Sequence, residues 1–148
     1  MECAREQLCG ACSHYITRDL TFVGGVANLL HNTYTDPPMH IPCADAAIRL
    51  CPFLNHPRMR PRPAAADVMP ADFRDLDRSR PLAVAVTGGY RVRLTAGPDG
   101  SLLEFLPEPW HALRLFTYID TGLAPASAAA GGGAVAALIA QLKETYRD

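Results

Sequence analysis

Two short stretches, Cys9-Gly10-Ala11-Cys12 and His40-Ile41-Pro42-Cys43, constrain the fold of this chain more than any other feature. In each, two residues separate a pair of metal-ligating side chains. A tetrahedral zinc site takes four nitrogen or sulfur donors at about 2.0–2.3 Å. A tight turn can aim two donors with this spacing at one ion. Gly10 permits backbone angles such a knuckle needs. Pro42 suits the first turn of a helix, where a missing N–H costs nothing. His40 and Cys43 then share one face of that helix. The partial positive charge of a helix N-terminus also favours a thiolate there. Cys9, Cys12, His40 and Cys43 are therefore the expected ligands of one Zn2+ ion.

The other cysteines and histidines suggest nothing as specific. Cys51 follows Cys43 by eight residues on nearly the same helix face, which reads as an inert core thiol. Cys3 reads as a spare thiol, and Met39 as core. His14 directly follows the knuckle and has the right chemistry to replace His40. His56 and His111 read as surface or capping residues. Five cysteines with no apolar signal segment ahead of them fit metal binding in a reducing compartment better than a disulfide framework. The expected location is cytoplasmic. No apolar run approaches the length of a bilayer span, so no membrane association is expected.

Along the chain, His14 to Val23 reads as two short β runs around Arg18-Asp19, with Gly24-Gly25 ending the second. Val26 to Thr35 is ambiguous between helix and strand. Asp36-Pro37-Pro38 forces an extended approach to His40. Ala44 to Cys51 is good helix material that Pro52 stops. Residues 57–81 are rich in proline, alanine and charge, and read as a linker whose Arg58, Arg60 and Arg62 are solvated. Leu82 to Thr87 and Tyr90 to Thr95 read as strands, joined through a hairpin loop at Ala96 to Gly100 to a return strand at Ser101 to Leu106. Trp110 to Thr121 reads as including a helix that ends at Gly122. Ala128 to Gly133 reads as a flexible joint, and Ala134 to Arg147 as a helix. Its stripe of Val135, Leu138, Ile139, Leu142 and Tyr146 must pack on something. The fold class is α+β, an N-terminal zinc module and a small antiparallel sheet with C-terminal helices. The expected divisions are a zinc-binding module at 1–56, the linker at 57–81 and a small α+β module at 82–148 packed on the first.

A knuckle, a hairpin and a helix with the second ligand pair resembles a treble-clef zinc finger over roughly residues 8–54. The CxxC, the FVGG at Phe22 to Gly25, TDPPMHIPCA at Thr35 to Ala44 and CPFL at Cys51 to Leu54 resemble a family of small uncharacterised actinobacterial proteins. Tyr118 to Pro125, with Ala124 inserted before the proline, extends the likeness over most of the chain. At His31-Asn32 the chain departs from the Asn-Arg of that family. The resemblance implies the layout and the metal pairs, and implies no substrate.

Four protein ligands leave a zinc ion no open position for water, so the expected function is a zinc-stabilised interaction or adaptor protein. Its expected partner is another protein, met by Tyr90, Arg91, Arg93 and Trp110, since aromatics and arginine dominate interface hot spots. A formal charge of −1 places nucleic-acid binding second. An HNH-like metal-dependent nuclease would draw on His31, Asn32, Asp36 and His40, but the acidic-histidine doublet of such enzymes is absent. A thiol–disulfide role for Cys9 and Cys12 lacks the preceding buried strand that such motifs follow.

Overall fold

The computed structural model describes residue 4, residues 6–57, 78–97 and 100–147. Cys3 and the arginines at 58, 60 and 62 lie outside the described residues, as does most of the segment read as a linker. Among the described residues, six strands and four helices follow in order: β1 (Leu20–Gly25), α1 (Val26–His31), α2 (Ile41–Leu50), α3 (Pro52–Asn55), β2 (Leu82–Thr87), β3 (Tyr90–Gly97), β4 (Gly100–Pro107), β5 (Trp110–Ile119), β6 (Gly122–Gly131) and α4 (Ala134–Thr145).

An antiparallel sheet of order β1-β2-β5-β6 forms the centre, and β3 and β4 form a separate two-stranded hairpin. The β1–β2 pairing runs in register from Leu20 opposite Thr87 to Gly25 opposite Leu82. A strand from before residue 57 and three from after residue 81 thus build one sheet. On one face Ala83, Ala85, Leu113 and Leu115 meet Leu29 of α1 and Val135 and Leu142 of α4. Leu138, Ile139 and Tyr146 pack against the same cluster, so the stripe expected on the last helix faces the sheet. On the opposite face Val23, Leu82 and Val84 meet Ala44 and Ile48 of α2. Phe22, Tyr34, Phe105 and Tyr90 join the hairpin to the sheet, with Trp110 at their side. Ring centroids there lie 4.9–6.3 Å apart, mostly edge to face, the arrangement that ring quadrupoles favour.

Three local expectations need correction. The first β run, at His14, is a single bridge from Tyr15 to Leu8, because Ser13 (φ 61°) and Asp19 (φ 56°) break the chain on either side. Pro52 ends α2 as expected, and it also opens the one-turn α3, where proline is tolerated at the first position. Trp110 to Ile119 is a strand and not a helix. It is an inner strand packed on both faces, with Leu113 and Leu115 buried on one and Phe116 and Tyr118 half-buried on the other, so its apolar residues fall on neither a single stripe nor a clean alternation. Ala128 to Gly131, expected in a flexible joint, pairs with β5 through Ala129, Ala130 and Gly131. The small side chains of Ala126, Ala128 and Ala130 let α4 approach the sheet closely.

Candidate metal centre

The first ligand pair sits in a loop closed by its own backbone. The Cys9 N–H donates to the His14 carbonyl at 2.8 Å, and Ser13 N–H returns to the Cys9 carbonyl at 2.9 Å. Ile16 N–H donates to Gln7 at 2.9 Å, which fixes the loop at its base. Gly10 N–H donates to Pro38 at 2.9 Å, so the loop is also tied to the approach of the second pair. A Cβ on Gly10 would lie 2.6 Å from Pro37 Cγ. Glycine is required here for that close approach, since Gly10 is not among the residues with positive φ.

The second pair is delivered by the outer edge of β1. Thr21 and Met39 exchange both backbone hydrogen bonds, at 2.9 and 2.8 Å. His40 follows at once as the N-cap of α2, with extended backbone (φ −64°, ψ 151°). Pro42 lies in the first turn, and Cys43 is the next residue of the helix. Cys9 is fully buried against Ile16 and Leu20, with Met39, Cys43 and Tyr90 packed around them. Cys12 faces solvent.

These placements bring Cys9, Cys12, His40 and Cys43 together, with one donor atom from each within 4.8 Å of all the others. His40 Nδ1 stands 3.5 Å from Cys12 Sγ and 3.9 Å from Cys43 Sγ. Nitrogen at about 2.0 Å and sulfur at about 2.3 Å from one tetrahedral centre would be roughly 3.6 Å apart. The donor set and its spacing therefore fit a metal ion. The other ring nitrogen, Nε2, lies 3.1 Å from the Tyr15 carbonyl oxygen. A carbonyl only accepts, so Nε2 carries the proton and donates it, and Nδ1 of the neutral ring presents its lone pair to the sulfurs.

Burial opposes ionisation of Cys9, but backbone N–H groups of Cys12, His40 and Ala11 and the Cys12 side chain outweigh it and bring its pKa down to about 6. Burial, with the Cys9 and Cys12 sulfurs beside it, pushes the Cys43 thiol up to about 11. The first negative charge thus goes to Cys9 and disfavours a second one nearby. A bound cation reverses that logic and favours every thiolate at once.

His14 lies outside the donor group; it serves the knuckle through its carbonyl. Cys51 is only half-buried, at the junction of α2 and α3, where its carbonyl accepts from Leu54 and Asn55. His31 and Asp36 are exposed, and among the described residues they belong to no second cluster of metal-ligating side chains. Asn32 takes the left-handed C-cap of α1 (φ 52°) and donates to the Pro107 carbonyl at 2.8 Å. Of the residues expected on a partner surface, Arg91 is exposed and Arg93 pairs with Glu104 at 2.7 Å. Tyr90 and Trp110 are mostly committed to the aromatic cluster, and Tyr90 Oη donates to the Ala4 carbonyl at 3.0 Å. Three supports of the centre escape a reading of ligand spacing: the Tyr15 carbonyl, the Pro37 contact and the Thr21–Met39 bridge. Among the described residues no helix is long and apolar enough to cross a membrane. Comparison of the chain with protein-family models, curated proteins and solved structures finds no match.

Proposed function

We propose that Cys9, Cys12, His40 and Cys43 hold one zinc ion, and that this ion is structural. The observation that carries the reading is the convergence of the four donors around the bare Nδ1 of His40. Three soft thiolates and one imidazole in tetrahedral array suit zinc better than magnesium, calcium or manganese, which prefer oxygen. All four positions are filled by protein, so no coordination site is left for a reacting water. The ion then stabilises the join between the knuckle, β1 and α2, in the manner of a treble clef. Cobalt(II) substitution tests this directly. Intense thiolate-to-cobalt and tetrahedral d–d absorption, unchanged by added azide, is the expected result. A spectrum that responds to azide would mean an open, reactive position.

A quiet metal leaves recognition as the work of the molecule, and we infer that its partner is another protein. The β3–β4 hairpin supports this, with Val92 and Leu94 at 41% and 60% exposure on one face and Arg91 exposed on the other. Neighbouring apolar side chains left exposed on one strand face are the material of interfaces. Val92→Ser with Leu94→Ser should leave metal content and melting unchanged and abolish retention of the partner in pull-downs. Unchanged retention would remove the hairpin from the interface.

A further inference from the structure

Helix α2 packs on β1 and β2, and a cleft of about 400 Å³ opens between α2, α3 and the β5–β6 face. Its apolar lining comes from Ile48, Phe116, Leu123 and Pro125. Its volume falls in the range of small-molecule sites, which pair an apolar lining with a few polar groups. One wall is pinned. Asn55 donates to the Arg49 carbonyl at 2.9 Å and accepts from Leu123 N–H at 3.1 Å. Gly122 beside it has φ +141°, and a Cβ there would clash with Asn55 Oδ1.

The charged groups are two guanidinium groups and one carboxylate, which leaves one positive charge in surplus. Arg114 projects from an inner strand and pairs with Asp45 at 2.6 Å, both side chains about two-fifths exposed. An ion pair that open to water adds at most about 1 kcal/mol, little reason to place arginine at an inner position of the sheet. The Arg114 guanidinium also lies 5.8 Å from the centre of the Phe116 ring. Arg49 uses Nε on the Asp45 carbonyl at 3.1 Å, and its terminal nitrogens have no partner among the described residues. A planar fork with free N–H groups matches a carboxylate.

We propose that this cleft binds a small aromatic monocarboxylate, with its ring against Phe116 and Leu123 and its carboxylate on Arg49 and Arg114. One surplus charge suits a monoanion, and the ring-sized apolar lining suits a flat body. The site is distinct from the metal centre, although Asp45 and Cys43 share the first turns of α2.

Phenylacetate and its neutral counterpart phenylacetamide are the probes, titrated into the full-length protein while backbone amide resonances are followed by NMR. Saturable shifts at Ile48, Asn55, Phe116 and Leu123 are expected with phenylacetate, with the amide at least about tenfold weaker. Arg49→Gln, an exposed change that leaves the Asp45–Arg114 pair in place, should weaken phenylacetate about tenfold and leave the amide unaffected. Arg114→Met should do the same more strongly. The proposal is overturned by absence of saturation up to roughly 20 mM, by equal binding of acid and amide, or by shifts that survive both substitutions.

Discussion

A methyl group at residue 10 would meet Pro37 Cγ at 2.6 Å, and the Gly10–Pro38 hydrogen bond leaves the loop nowhere to retreat. Gly10→Ala is therefore expected to cost about 1–3 kcal/mol of stability, as overpacking does. It should also weaken metal retention, read by competition with a chromophoric chelator, because the clash pushes Cys9 and Cys12 away from His40. An unchanged melting temperature and unchanged retention would show that the two ligand pairs are not held by this contact. The thiols predict a pH dependence for the metal-free protein. Cys9 falls from the ordinary 9.0 to about 6, so its contribution is complete above pH 9 and is lost as pH falls through 6. Cys43 is pushed up to about 11, so its contribution is complete below pH 9 and is lost as pH rises through 11. Melting in excess chelator should thus be highest near pH 9 and decline on both sides; a flat profile from pH 6 to 9 contradicts the stabilised Cys9 thiolate. At this scale the ligand types were legible, because both spacings are local. The Tyr15 carbonyl that orients His40 was not, because nothing in the side chain of residue 15 announces what its backbone does.

Among elements, α2 was legible from Pro42 and the alanine-rich run, and α4 from its apolar stripe. Strand β5 was not. Leu113 and Leu115 face α1 and α4, while Phe116 and Tyr118 face α2, so neither period of hydrophobicity stands out. Strand β6 was hidden for a different reason: the alanines that admit α4 look, in sequence, like a flexible joint. The strand assignment for β5 makes a specific prediction. Leu113, 1% exposed between the sheet and α4, should cost about 2–5 kcal/mol when cut to alanine. Leu94→Ala, on the exposed hairpin face, should move the melting temperature little. Equal effects from the two substitutions would mean that β5 is not an inner strand.

For the whole molecule, the decisive feature is that β1 crosses from the segment that carries the four donors to pair with β2. No local pattern specifies that pairing, because its partners lie far apart in sequence. The packing of the two halves on each other was legible only as a consequence of their small size. It follows that the centre closes one end of a sheet whose core extends beyond it. Removing the metal should loosen the knuckle and the start of α2 and spare the amides of β2 and β5, since regions with few buried contacts open first. Hydrogen exchange with and without chelator reads this directly; uniform loss of protection would mean that the ion holds the entire fold. More basic than either is the proposed binding of one zinc ion by these four side chains. Elemental analysis of protein purified without nickel affinity or added metal tests it most directly. About one zinc per chain is expected, resistant to mild chelation and lost in Cys9→Ser. Protein that carries no metal, or iron in place of zinc, contradicts it.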